Sequence, residues 1–129
     1  MITKGYKTNG GQKILISQGN EFDVDCDLVI SVIDNLDSDQ SQNAFRRKYG
    51  NEMFDYINRS IQLPSSSLFY TPGFKFRANF VYFINKTNIT KRSDLDEAIK
   101  QIHSFVQSNF LENVSIIVED INKLTLGVK

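Results

Sequence analysis

Seven consecutive residues, Asp27-Leu28-Val29-Ile30-Ser31-Val32-Ile33, constrain this chain more than any other stretch. After the first aspartate the run is aliphatic and largely β-branched, with Ser31 its only polar member, and its length is that of one strand. Such a run cannot leave one face in water, so it predicts a strand covered on both sides. The polar stretch Asp34-Asn35-Leu36-Asp37-Ser38-Asp39 follows, rich in side chains that cap helices. It leads into Gln42-Asn43-Ala44-Phe45-Arg46-Arg47-Lys48-Tyr49, and Gly50 falls where a helix C-cap belongs. A buried strand that feeds a helix through such a loop places the loop at the carboxyl end of a sheet, where open α/β sheets take their ligands.

The rest of the chain repeats this alternation. Met1 to Gly11 is polar and reads as a short edge element or a frayed start, and Lys13 to Gln18 as the first firm strand, broken at Gly19. Phe22, Val24 and Cys26 alternate with Asp23, Asp25 and Asp27, so one side can pack while the acids stay wet. Met53, Phe54, Ile57 and Ile61 share a helical face. Leu68-Phe69-Tyr70 reads as a short strand, Thr71-Pro72-Gly73 as a turn, Phe74 to Phe80 as an alternating strand and Phe80 to Ile84 as a buried one, with a tight hairpin or a bulge between the last two. Leu95, Ile99, Ile102, Phe105, Val106 and Phe110 form the stripe of a long helix for which Ser93 is the expected cap. Val114 to Val118 closes the series as an interior strand. Residues 1–129 read as one α/β domain, with no internal repeat.

Charge and composition exclude several function classes. Fifteen basic and fifteen acidic residues balance, so no global field draws in nucleic acid or an anionic membrane. A single cysteine excludes an intrachain disulfide framework and suits a reducing cytoplasm, and a single histidine leaves little for metal or acid–base chemistry. No apolar run reaches membrane-spanning length. No cofactor and no resident metal are expected.

Four stretches together resemble the macro domain, most closely the small macro domains that remove ADP-ribose from proteins. Gln18-Gly19-Asn20-Glu21-Phe22 is similar to the Gly-Asp-hydrophobic motif after the first strand. Asp27 to Ile33 with Phe45-Arg46-Arg47-Lys48-Tyr49-Gly50 is similar to the central strand and the end of the helix after it. Phe74 to Ile84 resembles the strand pair before the long helix, and Ser93 to Val118 that helix and the strand behind it. The resemblance covers most of Lys13 to Val118 and implies a three-layer α/β/α macro-domain-like sandwich around a central mixed sheet.

It also implies ligand positions, and here the chain departs from the family. The family's loop after the central strand is glycine-rich, so that backbone amides can close on a diphosphate. This chain has Asp37-Ser38-Asp39-Gln40-Ser41-Gln42 instead, with two carboxylates and no glycine. Asn20 stands where the family's aspartate accepts from the adenine amino group, and its amide oxygen can still accept. Ser31 lies in the strand beneath. The Gly-X-Gly loop with its catalytic aspartate is replaced by Glu119-Asp120-Ile121-Asn122-Lys123 shortly before the last residue, so that part of the pocket reads as cut short, and the sheet edge so exposed would invite a partner strand or a symmetric homodimer. Lys75 aligns with the lysine that the resemblance casts as a covalent nucleophile, although a lysine between Phe74 and Phe76 is far more often a solvated residue.

The other candidates weigh against bland readings. Arg46, Arg47 and Lys48 could contact nucleic acid, yet cations at a helix C-terminus also simply complement the dipole. Lys86, Lys91 and Arg92 meet the same objection. Asp34, Asp37 and Asp39 could hold a divalent cation, but their spacing lacks an EF-hand pattern and fits caps and loop acids. His103 reads as a partly buried structural residue and Cys26 as an inert thiol. The dense aromatics Phe69, Tyr70, Phe74, Phe76 and Phe80 should be mostly core, with any exposed members forming a protein-binding patch. The expectation is a degenerate, non-catalytic module that binds a protein partner, with ADP-ribose or an adenine nucleotide as a weak ligand. The rivals are a hydrolase using Lys75 and, behind it, a nucleic-acid binder.

Overall fold

The computed structural model describes residues 3–7, 13–17, 21–34, 36, 38–60, 68–117 and 119–122. The central strand β3 (Leu28–Ile33) sits inside a six-stranded mixed sheet of order β1-β2-β6-β3-β5-β4. It pairs in parallel with β5 (Phe80–Asn85) on one side and β6 (Asn113–Ile117) on the other. Strand β2 (Lys13–Ser17) runs parallel to β6, while β1 (Thr3–Lys7) and β4 (Leu68–Pro72) are antiparallel edges. The last strand therefore lies between β2 and β3. Among the described residues the sheet's edges are β1 and β4.

Side-chain alternation along β3 and β5 divides the interior in two. Val29, Ile33, Val81 and Phe83 face α1 (Asp39–Tyr49) and α2 (Asn51–Ser60), through Phe45, Tyr49, Met53, Phe54 and Ile57. Leu28, Val32, Tyr82 and Ile84 face α3 (Arg92–Ser108), through Ala98, Ile102 and Val106. Helices on both faces of a mixed sheet make the expected three-layer α/β/α sandwich.

Three local expectations are corrected. Residues 74–79 form a turn and not a strand: a Cβ on Gly73 would lie 1.9 Å from the Ala78 carbonyl oxygen, and the Gly73 oxygen accepts from the Phe76 amide at 2.9 Å. The alternation there is real, with Phe76 and Ala78 buried and Lys75, Arg77 and Asn79 exposed, but it arises from the turn's winding. Helix α3 starts two residues early, with Lys91 at its cap and no side-chain cap bond; Asp94 instead accepts from the Thr90 amide and hydroxyl, so Ser93 does not serve as the cap. On the same helix Ile99 and His103 are exposed, and Phe110 lies beyond the helix end, 90% exposed.

Asp27 is no merely wet acid. Its Oδ2 accepts the amides of Glu112 and Asn113, both at 2.9 Å, and its own amide donates to the Asn113 oxygen at 3.0 Å. Its carbonyl accepts from Phe80, so one residue ties together the starts of β3, β5 and β6.

Candidate functional site

The carboxyl ends of β3 and β5 open into a cleft of ≈ 190 Å³, bordered by Ile33, Asp34, Leu36, Ser41, Lys48 and Lys86 among others. It sits where the sequence placed a ligand site, between the sheet and the start of α1. Among the described residues no cluster of side chains suited to a metal ion occurs.

A buried polar chain meets the cleft through Lys48 and Tyr49. Ser31, the one polar residue of β3, is fully buried, and its Oγ donates to Glu21 Oε2 at 3.3 Å. Its proton so used, Ser31 accepts from the Tyr49 hydroxyl at 3.0 Å. Tyr49 reaches it because Phe45 and Tyr49 are one helical turn apart on α1 and pack as a pair, ring centroids 4.6 Å apart. Lys48 completes the chain, with Nζ 3.0 Å from Glu21 Oε1 and 5.0 Å above the Tyr49 ring. Burial pushes the Tyr49 hydroxyl up to about 12, and the Glu21 carboxylate adds to the shift. For Lys48 burial works against the charge, but the Tyr49 oxygen and Glu21 outweigh it and hold the ammonium above the ordinary lysine range. Sequence reasoning missed Glu21, Tyr49 and Lys48 as a unit; the only signal was a lone serine in an otherwise aliphatic strand, which needs a buried partner.

The rim is closed by the chain itself. Ser38 caps α1: its Oγ accepts the Ser41 amide at 3.2 Å, while the Ser41 hydroxyl lies within bonding distance of both the Ser38 amide and carbonyl. The Gln42 side chain donates to the Leu36 oxygen at 3.1 Å. Asp39 and Gln40 are exposed in the first turn. Lys86, just after β5, bridges to Asp34 at 3.2 Å across the mouth, and both groups are well exposed, so the pair contributes little to stability.

The remaining sequence candidates separate. Asn20 and Asp37 lie outside the described residues. The basic triplet splits three ways: Lys48 joins the buried polar chain, Arg47 stays exposed, and Arg46 lies 4.2 Å over the Phe54 ring. Lys75 is exposed in the 74–79 turn and does not border the cleft; its side chain runs over Gly50, where an added Cβ would meet Lys75 Cε at 3.0 Å. Two other lysines border the cleft, Lys48, which reaches Glu21, and Lys86, which reaches Asp34. Cys26 is buried, and burial together with Asp27 and Asp25 pushes its thiol up to about 12, as expected of an inert thiol.

No family model matches this sequence, and no curated protein does. Solved structures do match in fold. A point mutant of the Oceanobacillus iheyensis macrodomain with ADPR aligns over 98% of this chain and 96% of that chain, at 13% identity and a TM-score of 0.51. The same macrodomain with ADP aligns over 98% and 94%, at 13% identity and 0.50, and with MES bound over 98% and 95%, again at 13% and 0.50. The chain has the macro domain fold.

Proposed function

We propose that this domain is a binding module without ADP-ribosyl hydrolase activity, which acts through a protein partner and keeps only a weak hold on an adenine nucleotide. The observation that carries this reading is the self-closed cleft. A diphosphate needs backbone amides left open by glycine, yet the Ser38 side chain already takes the Ser41 amide and no glycine stands between Asp34 and Gln42. The space left, ≈ 190 Å³, falls below the roughly 300–1,000 Å³ of ordinary small-molecule sites. Asp39 adds a carboxylate in the first turn of α1, beside the amides a diphosphate would need. Two of the solved macrodomain structures carry ADPR or ADP, so the same fold can take an adenine nucleotide. Exposed Tyr70, Ile99 and Phe110 supply the apolar surface that a protein partner would cover.

Calorimetric titration with ADP-ribose, with an unrelated nucleotide as control, tests it. Binding weaker than about 100 μM agrees with the proposal; micromolar affinity that is lost in Ser38→Ala or Ser41→Ala overturns it.

A second reading is favoured by one specific contact. Lys86 stands at the cleft mouth 3.2 Å from Asp34, so if the cleft releases ADP-ribose from modified protein, the geometry assigns the nucleophilic amine to Lys86 in place of Lys75. Release that disappears in Lys86→Ala and survives in Lys75→Ala would establish it. No release from the unaltered protein would remove it.

A further inference from the structure

A second concavity adjoins the cleft across Tyr49, which lines both, where α1 hands over to α2. It encloses ≈ 540 Å³ between Arg46, Gly50, Asn51, Glu52, Phe74 and Lys75, well within the size range of small-ligand sites. Three features set it apart from ordinary surface.

The first is two cations without carboxylate partners among the described residues. The ion pairs there engage Lys48, Lys86 and Arg92, not Arg46 or Lys75. Arg46 is nonetheless positioned, its guanidinium stacked on Phe54 at 4.2 Å and donating to Asn43 Oδ1 at 3.4 Å. Lys75 lies along the bare floor that Gly50 leaves, its Nζ 3.5 Å from the point a Cβ would occupy.

The second is Phe74. It is 40% exposed and held at φ 51°, a left-handed conformation that a phenylalanine adopts only at a cost. Tyr56 braces its ring edge-on at 5.8 Å, so an aromatic face is fixed beside the two cations. The third is Glu52, the one carboxylate of the lining, which leaves a net +1 from Arg46, Lys75 and Glu52 together.

A fixed aromatic face, two adjacent cations and one acceptor match the chemistry of a phosphate monoester that carries a nucleobase. We propose that this groove is a nucleoside monophosphate site, separate from the cleft: Arg46 and Lys75 take the phosphate, Phe74 stacks on the base, and Glu52 accepts from ribose or base donors. Every base has a π-face, so the site discriminates weakly between bases and strongly against a sugar phosphate without one. The ligand is either a free mononucleotide or the 5′-phosphorylated end of an oligonucleotide, since both present the same group.

The test is an amide chemical-shift titration with AMP, UMP and ribose 5-phosphate. Shifts centred on Gly50, Asn51, Glu52, Phe74 and Lys75, with AMP and UMP alike and ribose 5-phosphate about tenfold weaker, support the site. Phe74→Gly is the informative variant, because glycine accepts the left-handed conformation and the fold should be kept or strengthened. It should weaken AMP about tenfold and leave ribose 5-phosphate unchanged. Lys75→Gln should weaken both ligands by roughly tenfold. A 5′-phosphorylated dinucleotide that binds more tightly than AMP supports the site with a nucleic-acid end as its source; equal binding supports it with the free nucleotide. No shifts up to about 5 mM AMP, shifts confined to Asp34, Ser41 and Lys86, or an unchanged AMP affinity in Phe74→Gly each overturn it. Failure here leaves the reading of the cleft untouched, because ADP-ribose in the cleft reports on a different set of amides.

Discussion

Asp27 and Asn113, 86 positions apart, are joined twice: Asp27 Oδ2 accepts the Asn113 amide at 2.9 Å, and the Asp27 amide donates to the Asn113 oxygen at 3.0 Å. The same carboxylate also takes the Glu112 amide. Removing it in Asp27→Ala leaves two strand-end amides without an acceptor and should cost about 2–3 kcal/mol. Urea unfolding reads this as a lower midpoint at unchanged slope. A loss under about 0.5 kcal/mol would mean water replaces the carboxylate without penalty.

The buried polar chain beside the cleft predicts a second loss. Tyr49→Phe preserves the packing against Phe45, Phe76 and Phe83 but deprives Ser31 of its donor. Expected is a destabilisation of about 1–2 kcal/mol, larger than that of an exposed tyrosine such as Tyr70 changed to Phe. Equal effects at the two positions would show that the Ser31–Tyr49 bond adds nothing.

Alkali should unfold the protein earlier than a chain without these shifts. Cys26, Tyr49 and Lys48 are all raised in the fold from ordinary values of 9.0, 10.0 and 10.5. Each therefore adds stability that is fully present below its ordinary value and lost as pH rises through the folded one. Stability should be flat with respect to these groups below about pH 8 and fall progressively from about pH 9 to beyond 12. Thermal midpoints taken across that range check it, and Cys26→Ala should flatten the first part of the decline. A midpoint that does not move between pH 9 and 12 would contradict the buried network.

At the end of α3 the chain bears an avoidable strain. The Leu111 amide bonds back to the Val106 oxygen at 3.0 Å and the Phe110 amide to Gln107 at 3.2 Å, a helix stop in which Phe110 takes φ 54°. Glycine is the usual occupant of such a position. Since Phe110 is 90% exposed, Phe110→Gly removes almost no packing and should raise stability by about 0.5–1 kcal/mol. A fall in thermal midpoint would show that the ring packs in solution.

How much of this could be read in advance differs from element to element. The strand Leu28–Ile33 and the helix ending at Tyr49 were plain, because an aliphatic run and a polar cap leave few alternatives. Residues 74–79 were misleading, since alternation of apolar and polar residues is shared by a strand and by a turn that buries every second side chain. What decided between them was the approach of Gly73 to the Ala78 oxygen, a contact local pattern does not encode. The site was half legible. Loop residues Ser38 and Ser41 border or close the cleft as placed, whereas the Glu21–Ser31–Tyr49–Lys48 chain needs a short turn, a strand and a helix end to converge.

The sequence by itself determined the order of strands and helices outside residues 74–79, their two-faced burial and the absence of glycine from the loop after β3, because periodicity and residue type act over a few neighbours. Tertiary structure alone decided that β6 slots between β2 and β3, that Lys86 and not Lys75 stands at the cleft, and that Arg46 and Lys75 share a groove with Phe74. Those are relations between distant segments, set by how two apolar faces close over one sheet, and no local preference carries them.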